Sequence, residues 1–582
     1  MSLALVPAAW LAGCLLVGLL EGPAAVRAYP FATWLTGLVL TALLVLGAGC
    51  VNLQAAQMLA ILMGGGGVYV AFKPWGRLTT VDLGPTRDEQ PLPEWATWTL
   101  FVALGLSFAF AFLASLAPVT GWDAASLHLA LPAAFARAGQ IAPRLGHDHS
   151  PLLHALYTVS FAGGGERSVT LMNWVFGVAA CGAVYGLARE LAGRYAGLVA
   201  AAILATTPVF AHQMGSPSID LAFAALATTA LWMVVRWSRS GDGHALLFAA
   251  VLAGSSCGVR HTGLLLCVLL AVGVALCSPG VRAKATLLFS LAALLALLPW
   301  TIYIFMASGL PAAPTLPEPT LVNLVALLRF PWDVVMRPQD LDGWMNSSGA
   351  LMLVLGVPGL FLGGRAAWGL GGYGLAGSGA VFFARSARLM LPFFSPMIAL
   401  AGVAVVRLTR LRGLAIALLL LHVAYGLALH AATVYPKLPA ALGMVARQDY
   451  LDETIERMAL FNYANRQLTG SRVWSIDPRT YFLHTSVRIE VATLKQLAGM
   501  NADAQYQALQ AQGIEYILYS PDYVAKADDI REAAEALLKV WQADKERYPL
   551  AARVDCTTPR FGAEEALVFR VNPSASADAP AP

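Results

Sequence analysis

Charge is scarce in this chain. Of 582 residues, 12% are Asp, Glu, Lys or Arg and 58% are hydrophobic. That excludes a soluble globule, whose surface could not hide so much apolar area, and predicts a polytopic membrane protein. The formal net charge of +4 is too small for a nucleic-acid partner gathered by a basic field. Cysteine is sparse too. Cys14, Cys50, Cys181, Cys257, Cys267 and Cys277 lie in or beside apolar segments, where thiols act as small apolar residues. Cys556 stands alone in the polar C-terminal part, so that part closes no internal disulfide. No CxxC or Cys/His spacing suggests structural zinc. The opening MSLALVPAAWLAGCLLVGLLEG has no basic leader and reads as a first span rather than a cleaved signal peptide. No solenoid-type repeat is present.

What is abundant is apolar runs of spanning length, ~20 residues each. About fourteen fit: 3–21, 31–50, 54–72, 96–118, 167–187, 195–211, 219–236, 244–259, 262–278, 285–307, 347–364, 367–384, 388–406 and 411–432. Alternate loops carry the basic residues: Arg27, then Lys73 and Arg77, Arg189 and Arg194, Arg236 and Arg239, Arg282 and Lys284, Arg365, and Arg407, Arg410 and Arg412. Cytoplasmic loops hold that excess. The long loops 119–166 and 308–346 and the C-terminal part are therefore expected on the extracytoplasmic side. The expected organisation is extra N-terminal spans and a linker over 1–95 and a membrane module over 96–432. A small α/β domain follows over 433–572, with a disordered Pro/Ala/Ser tail over 573–582. In that domain SRVWSID and IEYILYS read as strands, and Asn501–Gly513 and the DDIREAAEALLKVWQADKERY stretch as helices. It contains no glycine-rich phosphate loop and no nucleophile elbow, so a packing or acceptor-recognition role outweighs a second active site.

The outer loops hold the residues with chemistry in them. In GWDAASLHLALPAAFARAGQI, Leu127, Leu131 and Phe135 recur every four residues, predicting an amphipathic helix in the membrane interface from Asp123 to Arg137. A second is expected from Ser150. Asp123 is either the cap of the first helix or a general base for a bound hydroxyl. His147, Asp148 and His149 form either a polar turn or, with a divalent ion, a metal site; no third firm ligand is evident. Asp220, in MGSPSIDLAF, is either an N-cap or a functional carboxylate. Arg260 with His261, and Arg385 with Arg388, sit at outer turns where arginine is depleted. The bland reading is a guanidinium reaching for the interface; the other is an anion site, since guanidinium grips phosphate with a two-pronged fork.

These stretches, with HDHSPLLHALYTVSF, GLVAAAILATTPVFAHQMGSPSIDLAFAAL, GSSCGVRHTGLL and RSARLMLPFFSPMIALAG, come in an order that resembles the GT-C membrane glycosyltransferases, in particular the protein-mannosyltransferase and aminoarabinose-transferase type (glycosyltransferase family 39). The likeness covers roughly 96–410. It implies a GT-C bundle with its active site under the first outer loop and a polyprenyl-phosphate sugar as donor. Asp123, just after the preceding span, matches the catalytic base, and Asp148 a second acidic position. Arg260, Arg385 and Arg388 match donor-phosphate ligands. Trp122, His128, His147, His149, Asp220 and His261 are expected to line the substrate. Leu127 stands where the family has tyrosine, and Arg260–His261 where it has lysine and an aromatic. The expected activity is inverting transfer to a lipid, glycan or protein acceptor of unknown identity. No cofactor is required, a divalent metal remaining open, and the partners are the donor and the bilayer, with no nucleic acid. A bacterial inner membrane fits the composition. The alternatives are a lipid-phosphate carrier or flippase, and a non-catalytic partner in a cell-envelope polysaccharide pathway.

Overall fold

The computed structural model describes residues 2–71, 91–142, 150–277, 282–308, 330, 332, 333, 335, 337, 347–381, 388–484 and 491–572. Every expected span overlaps a helix, but the count of fourteen crossings is not reproduced. Among the described residues, eight helices are long and apolar enough to cross a membrane, or nine with one bent pair counted as a span. Ala4–Leu20, Gly243–Ser256, Gly263–Cys277 and Leu351–Leu362 are shorter apolar helices. The protein is an integral membrane protein of α-helical build with a small sheet near its C-terminus.

The chain divides into two compact units. One is Met1–Ala117 with Pro132–Leu442; the other is Pro118–Leu131 with Gly443–Pro582. In the first, the apolar helices sort their faces. On Gly263–Cys277, Leu266, Leu270 and Val274 are buried while Leu264, Val268, Val272 and Leu276 are exposed, the two stripes of a helix with lipid on one side. Small residues let backbones approach. A Cβ on Gly67 would lie 1.7 Å from the Pro7 carbonyl oxygen, and one on Gly426 1.9 Å from that of Thr206.

Two helices break, each for a readable reason. The helix expected at 195–211 ends at Thr206 and resumes as Pro208–Met214, bent by 71°, because Pro208 can neither continue the ladder nor allow helical backbone before it. The freed carbonyls are satisfied, as an apolar medium demands. Ile203 O accepts from Thr207 Oγ1 at 2.7 Å and lies 3.3 Å from His422 Nε2; Ala205 O accepts from Ser107 Oγ at 2.6 Å. The Pro151–Ala192 helix breaks at Gly164 and Gly165, the latter at φ 65°, ψ −159°, a conformation that favours glycine. The helix expected from Ser150 and the span at 167–187 therefore adjoin at this hinge.

In the second unit the strands are β1 (Val473–Ser475), β2 (Tyr516–Tyr519), β3 (Leu550–Asp555) and β4 (Glu565–Arg570). Their order is β1-β2-β4-β3, with β1 parallel to β2 and the other pairs antiparallel. The expected strand, helix, strand, helix order is present, with Ala502–Ala511 and Arg531–Ala543 as the helices. The Asn501 side chain caps the first by accepting from Ala504 N. The core gathers Trp474, Trp541, Tyr519, Tyr548 and Phe569.

The same unit holds a buried charge network. Arg457, at φ 66°, donates from Nε to Asp477 (3.2 Å), from Nη1 to Glu564 (2.9 Å) and from Nη2 to Glu456 (2.8 Å). Arg479 grips both oxygens of Asp477, at 3.0 Å from Nε and 2.6 Å from Nη2, and Ser520 Oγ donates to Glu564 at 2.7 Å. Burial raises the Asp477 carboxyl, but the adjacent Arg479 and Arg457 outweigh it and hold the group below the usual carboxylate range.

Gly426→Val is expected to lower the thermal stability of the detergent-solubilised chain by about 1–3 kcal/mol through overpacking against Thr206; an unchanged melting temperature would show that the two helices part readily. Asp477 gives a pH prediction. Its folded pKa is depressed, so its contribution is full above the unfolded pKa and is lost as pH falls through the folded one. Asp477→Asn is expected to cost about 3–5 kcal/mol near neutrality and to flatten the acid end of the stability profile, read from protease susceptibility of residues 443–572 in the full chain.

Candidate functional site

Among the described residues expected in outer loops, the turn between Ser256 and Gly263 is closely anchored. Ser256 O accepts from the backbone N–H of Val259 and of Arg260, each at 3.0 Å, and Arg260 O accepts from Gly263 N at 2.9 Å. The helix beginning at Pro151 is bolted to it. Leu152 N donates to Gly258 O at 3.0 Å, and Ser150 Oγ donates to the same oxygen at 3.3 Å. Trp300 closes the other side; a Cβ on Gly258 would lie 2.5 Å from its ring.

This turn aims Arg260 at Asp220. Nη1 lies 2.5 Å from Oδ1, with the Asp220 side chain 6% exposed and that of Arg260 22% exposed. Asp220 is not an N-cap: Ile219 occupies the cap position, and Asp220 is the first helical residue. The loop before it is held by Asn173, whose Nδ2 donates to Gln213 O (2.8 Å) and Ser216 O (2.7 Å), and by Tyr157, whose hydroxyl donates to Ser218 O at 2.7 Å. A buried carboxylate is costly alone and tolerable beside a guanidinium. The pairing engages one prong of the fork, and a guanidinium carries five N–H donors.

Arg388 opens the short helical turn Arg388–Met390 at the start of the Leu391–Arg407 helix. With Lys437 it lies within electrostatic range of His212, which comes from the bent segment Pro208–Met214. His430 neighbours the same group, within range of Lys437 and His212, and its Nδ1 is 3.4 Å from Ser107 Oγ. Positive charge thus gathers around the broken helix. Neither His212 nor Lys437 stood out in the sequence. Lys437 follows the last span on the side expected to lack basic residues, the same signal that marked Arg388.

Asp123 belongs to the second unit. The single helix expected from Asp123 to Arg137 is instead a π turn, Ala124–His128, followed by a helix, Ala130–Ala138. Leu129 N reaches back five residues to Ala124 O at 2.8 Å. Asp123 has helical backbone angles (φ −62°, ψ −37°) and makes no side-chain cap bond, so the capping alternative fails. Such turns insert one residue and recur at functional sites. His128 on it is buried, Trp122 is half-exposed, and His261 is exposed on the Arg260 turn. His147, Asp148, His149 and Arg385 lie outside the described residues. Among the described residues no three His, Cys, Asp or Glu side chains gather as a metal site would require.

Residues 148–303 match the family model of dolichyl-phosphate-mannose-protein mannosyltransferases. The match includes Asp220 and Arg260 and begins after Asp123. The structure resembles ArnT from Cupriavidus metallidurans in the apo state, with a TM-score of 0.55, 14% identity, and coverage of 82% of this chain and 98% of that one. It resembles the same protein bound to undecaprenyl phosphate with a TM-score of 0.51, 14% identity, and coverage of 81% and 98%. No curated protein matches the chain by sequence. The family match and the fold both bear out the resemblance to GT-C glycosyltransferases.

The Arg260–Asp220 pair makes a prediction of its own. Arg260→Ala alone is expected to destabilise the chain more than Arg260→Ala with Asp220→Ala, because the single change strands a buried carboxylate. A double-mutant cycle on thermal unfolding should return about 1–3 kcal/mol of coupling; zero coupling would mean the pair is not formed in the membrane protein.

Proposed function

Starting from a GT-C fold with a mannosyltransferase-family segment, we propose that this protein transfers a sugar from a polyprenyl-phosphate donor to an acceptor hydroxyl, with inversion, at the extracytoplasmic face. The observation that carries the reading is the family match over 148–303, which falls on the Arg260 turn, where backbone and guanidinium are both fixed. The basic cluster around His212, to which Arg388 and Lys437 contribute, supports a phosphate-bearing lipid. The in-phase alternation of basic loops supports the outer face.

Asp123 takes the proton of the acceptor hydroxyl. The oxygen attacks the anomeric carbon opposite the phosphate, through a transition state with oxocarbenium character. The bond from anomeric carbon to phosphate oxygen breaks, its electron pair staying with the phosphate. Arg260 and Arg388 meet the charge that develops there. Asp148 and Arg385, which lie outside the described residues, keep their assignments as the second acidic group and a further phosphate ligand. Trp122, His128, His147, His149, Asp220 and His261 border the sugar, and the apolar spans hold the polyprenyl chain. The acceptor is a lipid, glycan or protein.

The test uses the purified protein in lipid, a panel of radiolabelled polyprenyl-phosphate sugars and a membrane extract as acceptor. Asp123→Asn is expected to slow transfer by about 10²–10⁴-fold, the usual worth of a general base, with donor binding retained. Arg388→Ala is expected to cost about 10²–10³-fold. Donor binding without transfer in any extract, unchanged by Asp123→Asn, would instead identify a carrier.

A further inference from the structure

The segment bearing Asp123 leaves one membrane helix and leads to the next, yet Pro118–Leu131 forms a compact unit with the C-terminal domain. The turn Ala124–His128 packs on the short helix Thr480–Phe482. Thr120, just upstream, neighbours the Tyr450 hydroxyl. Ala124 through Leu129 are all buried. A five-residue π turn has little intrinsic stability, so its shape must come from what it rests on.

What it rests on is unusually constrained. The stretch Asp477–Leu483 is pinned at its start, where Arg479 grips both Asp477 oxygens and also donates from Nη2 to Glu456 O at 2.9 Å. It is pinned at its end by Asn465, whose Nδ2 donates to Phe482 O and whose Oδ1 accepts from His484 N, each at 2.8 Å. In between, the Phe482 ring sits 5.8 Å from the Phe461 ring, and the Arg479 guanidinium lies 5.7 Å from the Phe461 ring. A buried charge network adds little net stability over apolar packing but can fix one geometry. Here the fixed geometry is that of a shelf under the turn.

We propose that the shelf Asp477–Leu483 and Tyr450 are positioning elements for transfer, seating the turn Ala124–His128 so that Asp123 is held at the reacting hydroxyl. The inference rests on the base assignment above and adds to it a function for the C-terminal domain: it holds in place the turn that follows Asp123. Arg479, Asn465 and Tyr450 are positioning residues and touch no substrate. Misplacing a catalytic group by about 1 Å can cost ~10²-fold in rate, so loosening the shelf should lower kcat while leaving the KM for donor nearly unchanged.

The experiment takes the full chain in lipid nanodiscs and compares wild type with Tyr450→Phe, Asn465→Ala and Arg479→Lys. Tyr450→Phe removes one hydroxyl and keeps the test alive if a shelf variant misfolds. Amide hydrogen exchange of 118–131 and transfer kinetics with a polyprenyl-phosphate sugar are read together. Exchange in 118–131 is expected to rise about tenfold, the effect of losing about 1.4 kcal/mol of local stability. The kcat should fall about tenfold or more. If exchange in 118–131 stays at the wild-type level while that of Phe482–His484 rises, the turn is not seated on the shelf and the inference is overturned. If protection is lost with kcat unchanged, the positioning role is overturned although the docking is real. Failure of the base assignment is seen separately, as full transfer by Asp123→Asn, and leaves the exchange result standing by itself.

Discussion

In an apolar medium every backbone N–H and C=O must find a partner, and this constraint decides where the chain can depart from a helix. The Thr207 break persists because Ser107, Thr207 and His422 reach the carbonyls that the bend releases. The Arg260 turn persists because its own backbone closes it and Ser150 and Leu152 take up Gly258 O. Irregular backbone that has been satisfied in this way becomes the place where charged side chains can be held. Arg260 and Asp220 meet beside one such turn, and His212, near Arg388 and Lys437, lies on the arm beyond one such break.

Burial of charge follows different rules in the two units. Among the described residues Asp220 pairs with Arg260, which stays part-exposed, so the pair retains donors for a ligand. Asp477, Glu564 and Arg457 are enclosed and mutually saturated, with Arg457 held in left-handed backbone that a free arginine would rarely adopt. The first arrangement suits a binding surface and the second a scaffold.

The sequence made the membrane class, the helices and the strand-helix order legible, because these rest on length and periodicity. It also marked Asp123, Asp220, Arg260 and Arg388, since a charge at the end of an apolar run is conspicuous. What it concealed was local geometry. The spacing of Leu127, Leu131 and Phe135 looks like one continuous helix, and nothing in composition announces the extra residue of a π turn. The Thr207 break lies inside an unbroken apolar run, which hides the turn signal of Pro208. β3 gives little strand signal, because five of its six residues are exposed or part-exposed. The pairing of Asp220 with Arg260, forty residues apart, is a tertiary fact with no local trace.

The π turn lets the segment after Asp123 carry one residue more than an ordinary helical turn would hold. Each residue advances an α-helix by about 100°. Removing one residue from Ala124–His128 would let the turn relax to ordinary helix, in which four residues sweep about the angle that five cover in the wider π turn, so the backbone phase would be kept. The inserted residue is slack taken up within one turn, so a deletion there would change which side chains of Ala124–His128 are presented and not the direction of the chain that follows.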